Sequence, residues 1–246
     1  MRYGSWLSAM EPLFLRSKSI SIARSSGALL PTPSAIDSLM IVVHHLNQSR
    51  SQRVLWLLEE LELPYEIAYY ERDNRNMAPE ALREIHPLGK SPIIQDGERI
   101  VAESGAIIDY IVRRHGRGRL RPSESDDLHE DYVYWLHYAE GSAVTPFIIM
   151  PIAQSFGKMA APLRRRVDWE MALNLRFIDQ SLSDKPFLLG DDLTAADIQM
   201  SFVGELAAAS ANISRYPNID RWVRRFQDRK AYKAAIERGG YYKFQR

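Results

Sequence analysis

Residues 49–61, SRSQRVLWLLEEL, run from a short polar turn into one strongly patterned helix, and the rest of the chain is read outward from them. Val54, Leu57, Leu58 and Leu61 recur at the spacing that gathers apolar side chains onto one helical face, while Glu59 and Glu60 fall on the other. Upstream, Ile41 to His45 (IVVHH) predicts a short buried strand, so Leu46 to Arg50 is the turn that delivers a strand end to a helix N-terminus. Such a junction concentrates backbone N–H groups and the positive end of the helix dipole, which suits an anion. Ser49 and Ser51 add hydroxyl donors there. Two readings stand side by side: one serine hydrogen-bonds a bound thiolate, or Ser49 only caps the helix, with Gln52 completing an S-x-x-Q capping box.

The chain has 246 residues, enough for one large domain or two modest ones, and a formal net charge of +1 that gives no overall pull toward nucleic acid or anionic membrane. Arg164 to Arg166 and Arg224 to Arg225 sit in helical patterns without interleaved aromatics and read as solvated faces. With no cysteine, a disulfide framework, thiolate-bound metal and a cysteine nucleophile are excluded, so any thiol in the chemistry comes from a ligand. The six histidines show no metal-ligand spacing, and His44 and His45 read as packing or edge residues; no metal is expected. The apolar run around Phe147 to Ala153 is far short of the roughly 18 residues of a membrane span.

Residues 1–39 are rich in serine, poor in acids and broken by glycine and proline, and read as a disordered or non-native extension. Either they are an organelle transit peptide, or Met40, directly before the first strand, starts translation; the compact opening MIVVHH favours the second. Beyond the organising helix, Tyr65 to Tyr70 predicts a second strand, Pro79 to Ile85 a short helix, and Pro92 to Gln95 and Arg99 to Ala102 a hairpin across Asp96-Gly97. Glu103 and Ser104 then open a helix carrying Ile107, Ile108 and Ile111. The order βαβαββα over residues 40–114 describes a mixed four-stranded α/β sheet on the thioredoxin-like plan. Residues 115–124 (HGRGRLRPSE) read as a linker, and residues 125–246 as all-helical. There, Ser125 is a candidate cap for a helix through Tyr132, Trp135 and Tyr138 to about Gly141, and Thr194 with Asp197 forms a T-x-x-D capping signature.

This order of parts, with SR-x-x-R at 49–53, GKSPI at 89–93, ESGAI at 103–107 and LTAADI at 193–198, resembles the cytosolic glutathione transferases. The opening HHLNQSRSQRVLWLLEEL and HPLGKSPI are most similar to the serine-type bacterial and fungal subgroup. The resemblance implies glutathione as co-substrate against the first domain, a hydrophobic electrophile held by the second, a homodimer and a cytoplasmic detoxifying transferase. It places the thiolate contact at Ser49, with Ser51 as runner-up. It implies a cis Pro92 whose neighbour Ser91 offers backbone to the cysteinyl part, Lys90 for the glycyl carboxylate, and Ser104 and Glu103 for the γ-glutamyl carboxylate and ammonium. Tyr132, Trp135, Tyr138 and the 147–150 stretch are candidates for the electrophile site, although core packing demands the same spacing. A glutathione-dependent peroxidase or dehalogenase, or a non-catalytic binding protein, are the alternatives. The chemistry is in reach: lowering a thiol pKa of roughly 8.5 by about two units requires roughly 2.7 kcal/mol. A charge-assisted hydrogen bond supplies about 1.5–3 kcal/mol and a helix N-terminus roughly 0.3–1.

Overall fold

The computed structural model describes residues 40–210 and 212–246, which fall within one compact unit; the readings made for residues 1–39 lie outside the described residues. Four strands, β1 (Ile41–Leu46), β2 (Tyr65–Tyr70), β3 (Ile93–Asp96) and β4 (Arg99–Ala102), form one sheet in the order β2-β1-β3-β4. β1 runs parallel to β2, with Val43 opposite Ile67, and antiparallel to β3, with Val43 opposite Ile94. The parallel pair needs a crossover, and α1 (Ser51–Glu60) supplies it. α2 (Ala81–Ile85) precedes β3, and α3 (Ser104–Arg114) follows β4. This is the βαβαββα thioredoxin-like arrangement.

The remainder is helical: α4 (His129–Tyr138), a π-turn at Ala139–Ala143, α5 (Thr145–Ser155), α6 (Ala161–Ser181), α7 (Ala195–Ala208), α8 (Pro217–Gln227) and α9 (Lys230–Gly239). Asp197 closes the expected capping box with Thr194 and also accepts from the Leu188 N–H (2.9 Å) and the Trp222 indole (3.1 Å), tying the head of α7 to α8.

Three local expectations need correction. Ser125 does not cap α4: the helix starts later, at His129, and Asp126 accepts the Leu128 N–H at 2.8 Å instead. Ser49 does not build a capping box on α1, because Arg50 is the N-cap and its side chain makes no cap hydrogen bond; Ser49 Oγ accepts only the Ser51 N–H. Nor does α1 have a polar outer face, since every residue from Ser51 to Leu58 is buried, and so is Glu60. The helical part covers the side that would otherwise face water. Trp56 stacks on Phe226 (centroids 5.2 Å) and meets Tyr232 edge-on (5.5 Å), and its indole donates to Glu60 Oε1 at 2.9 Å. Glu60 in turn accepts from Arg229 Nη2 at 2.9 Å, so a charge that looked exposed is a buried link from α1 to the start of α9.

Candidate functional site

The turn between β1 and α1 is held by a chain of hydroxyl and imidazole groups whose proton directions follow from elementary accounting. The Gly239 carbonyl can only accept, so His45 Nε2, 3.1 Å away, carries a proton. Burial, opposed by that hydrogen bond, lowers the His45 pKa to about 4, so the ring is neutral near pH 7 and Nδ1 is an acceptor. Ser51 Oγ, 2.9 Å from Nδ1 and 3.3 Å from the Leu46 carbonyl, faces two groups that can only accept and therefore donates inward. Ser51 has then spent its proton, and Ser49 Oγ, 2.7 Å away, must be the donor between the two serines; it also accepts the Ser51 N–H at 3.2 Å. Gln48, the residue before this pair, has φ +53°.

Beside the turn lies a cleft of ≈ 390 Å³ whose wall includes Leu46, Arg50, Arg72, His86, Lys90, Ser91, Pro92, Glu103, Ser104, Glu140 and Ile148. Ser91 Oγ accepts the Leu46 N–H (3.3 Å) and donates to the His44 carbonyl (3.0 Å), fastening the cleft floor to β1, and the Ser91–Pro92 peptide bond is cis. Glu103, at φ +71°, is a non-glycine residue in the left-handed half of conformational space, immediately before α3. No side chain caps α3, so its first N–H groups stay open at the cleft.

Charge at this wall is organised by Glu140, in the π-turn after α4. Its carboxylate binds Arg50 Nε at 3.0 Å and also Arg53 Nη2, which donates to Ser104 Oγ at 2.6 Å. Burial acts to raise the Glu140 pKa, but the Arg53 and Arg50 guanidinium groups outweigh it and hold the carboxyl below its ordinary value. Arg50 and Arg53 lie 4.8 and 5.8 Å from the Phe202 ring centroid.

The structure thus brings Lys90, Ser91, Pro92, Glu103 and Ser104 to one cleft. Ser49 and Ser51 adjoin it but are not on its wall; they are 5% and 0% exposed, and their hydroxyls are engaged with each other and with His45. Tyr132 and Tyr138, candidates for the electrophile site, do not line this cleft. Tyr132 is buried on a groove between α3 and α4 that shares Glu103 and Glu140 with the cleft, and Tyr138 bonds Asn174 on α6 beside Tyr134 and Phe177. The reason is rotational: of the apolar residues proposed, Ile148 on α5 is the one that reaches the cleft wall. Sequence reading missed Arg72, His86 and Glu140. A cation in a polar loop and an acid in an irregular turn carry no spacing signal.

The fold is thus a four-stranded thioredoxin-like domain followed by a helical domain, with a polar cleft beside the heads of α1 and α3. Residues 38–113 match the family model described as glutathione S-transferase, N-terminal domain, and residues 142–230 the one described as glutathione S-transferase, C-terminal domain. Glutathione S-transferase 3 of Schizosaccharomyces pombe is 39% identical over 217 residues, covering 81% of this chain and 88% of that protein. Glutathione S-transferase 1 of Saccharomyces cerevisiae is 33% identical, covering 81% and 95%. A crystal structure of a glutathione S-transferase from Actinobacillus pleuropneumoniae superposes with a TM-score of 0.78 at 33% identity, covering 84% of this chain and 96% of the other. The chain belongs to the glutathione S-transferase family and is a glutathione transferase.

Proposed function

We propose that the cleft holds glutathione and that the enzyme joins its sulfur to an electrophilic carbon of a hydrophobic small molecule. The observation that carries this reading is the convergence of α1 and α3 N-termini on a cleft whose wall offers Arg72 and Lys90 on one hand and Glu103 on the other, beside the Arg50–Glu140 pair. Glutathione has two carboxylates, one ammonium and one thiol, which is the complementary set. Lys90 receives the glycyl carboxylate, the Ser91–Pro92 segment pairs with the cysteinyl backbone, and Ser104 with the open α3 N–H groups receives the γ-glutamyl carboxylate while Glu103 attracts its ammonium. Residues 40–114 are then the glutathione-binding domain, 115–124 the connection and 125–246 the domain that shapes the electrophile site, where Ile148 adjoins the exposed Ile152 and Phe156 of α5. The exposed Tyr134, Trp169 and Leu173 on α4 and α6 supply apolar surface for the proposed homodimer, and the proposed place of work is the cytoplasm.

Ser49 is the proposed donor to the thiolate. It donates to a neutral oxygen, Ser51 Oγ; a thiolate is a charged acceptor, and charge-assisted bonds are roughly twice as strong as neutral ones, so the hydroxyl exchanges partners when glutathione binds. Ser51, whose proton is directed inward, serves as support. Retention on immobilised glutathione tests ligand binding, and conjugation of a chlorodinitrobenzene-type substrate tests turnover. Ser49→Ala is expected to lower kcat/KM about ten- to a hundredfold, the worth of one charge-assisted bond, with Ser51→Ala losing less. The reverse order, with Ser51→Ala inactive and Ser49→Ala at full rate, would move the assignment to Ser51.

A further inference from the structure

We infer that Gln48 is a positioning residue of the transferase site and that it works through the C-terminal segment after α9. This rests on the proposed placement of glutathione beside the β1–α1 turn. The two halves of the Gln48 amide are both spent on the main chain of that segment: Nε2 donates to the Tyr241 carbonyl at 2.7 Å, and Oε1 accepts the Lys243 N–H at 3.0 Å. Gln48 itself stands at φ +53°, a conformation an L-residue with a long side chain adopts only when its surroundings compel it. The next two residues are Ser49 and Arg50. Whatever holds Gln48 in the left-handed region therefore sets where the hydroxyl and the guanidinium point.

The segment is itself firmly tied down. Gly239, at its root, accepts from His45 (3.1 Å), Tyr242 donates to the buried Glu205 carboxylate (2.7 Å), and the Phe244 carbonyl accepts from Gln227 Nε2 (3.0 Å). A second route reaches the same turn, because Phe244 packs edge-on against Phe202 (6.0 Å), the ring beside the Arg50 guanidinium. Neither Gln48 nor residues 239–246 are on the cleft wall, so none of this is ligand contact. The chain terminus acts as a brace behind the turn, and the brace is fixed in place by α7 and α8.

Gln48→Met keeps the length and backbone strain of the residue while deleting both hydrogen bonds; Lys243→Pro deletes the single N–H that Oε1 accepts. Three readouts are taken on the full chain: KM for glutathione, the pKa of bound glutathione from the ultraviolet absorbance of its thiolate, and the far-ultraviolet circular dichroism. Gln48→Met is expected to raise KM roughly three- to tenfold and to move the thiol pKa upward with helix content unchanged. Lys243→Pro should do the same to a smaller degree, and the double variant should do no more than Gln48→Met alone, because both changes break one clamp. Unchanged KM and thiol pKa in Gln48→Met, or fully additive effects in the double variant, would overturn the inference. If Gln48→Met does not fold, Lys243→Pro alone decides it, with unchanged KM and thiol pKa as the overturning result. Failure of the underlying placement looks different: wild-type glutathione binding would then be indifferent to Lys90→Ala and Ser104→Ala.

Discussion

At the head of α1 a single proton sets the direction in which the two serine hydroxyls point. Because the Gly239 carbonyl fixes the His45 tautomer, Ser51 is turned inward, and Ser49 is left as the hydroxyl that can change partners. The two serines and their place at a helix start were legible in the run SRSQR. The imidazole that distinguishes them was not, since its role depends on a carbonyl from the far end of the chain. Glu140 was hidden for a similar reason: Arg50 and Arg53 announce themselves three residues apart, while their shared carboxylate comes from a π-turn in another domain. Arg53 has a side chain only 2% exposed, so Glu140→Gln leaves a buried cation without its counter-charge. With Glu140 one-third exposed, the expected loss of stability is about 1–3 kcal/mol, below the full cost of breaking a wholly buried pair. Chemical denaturation measures it, and an unchanged midpoint would mean that the other groups Arg53 donates to, the Gln199 carbonyl and Ser104 Oγ, suffice to hold the guanidinium.

The elements themselves were well marked in the sequence, but their surroundings were not. The strand alternation, the Asp96-Gly97 hairpin and the T-x-x-D box are local signals, and the corresponding elements stand where they were expected. The burial of α1 on all sides is a tertiary fact, visible only once α7 and α9 pack on it. α9 approaches so closely that a Cβ at Gly239 would sit 2.7 Å from Gln52 Oε1 and 2.8 Å from Leu55 Cδ1. Gly239→Ala should therefore cost about 1–3 kcal/mol through overpacking. A fall in melting temperature checks this, and a gain would show that the two helices can separate freely. The missed capping box at Ser49 and the missed cap at Ser125 were serines with the right spacing whose hydroxyls engage nearer partners, Ser51 and Ser123.

Across the whole molecule, the stretch read as a linker is fastened at its middle to both parts of the chain: Arg119 donates to the carbonyls of Glu60 and Leu61, and the Leu120 carbonyl accepts the Ala195 N–H at 2.8 Å. The C-terminal segment gathers on Glu205, a carboxyl buried among Tyr232, Tyr242 and Gln227. Burial, opposed by those hydrogen bonds, pushes its pKa up from 4.5 to about 7. Between those two values the unfolded chain has released a proton that the folded chain still holds, so this group's contribution to stability falls as pH rises through the window and is flat above it. His45, lowered from 6.5 to about 4, contributes with the opposite sign, its stabilisation lost as pH falls. Glu205→Gln removes the first dependence. The stability of the variant relative to wild type should improve as pH is raised from about 4.5 to about 7, and a constant difference across that range would contradict the protonation assigned here.

The most direct test of the thiolate assignment is the ultraviolet titration of glutathione bound to wild type and to Ser49→Ala. The bound thiol is expected to ionise well below the roughly 8.5 of a free thiol in wild type, and about one to two pKa units higher in the alanine variant. The same titration midpoint in both proteins would contradict it.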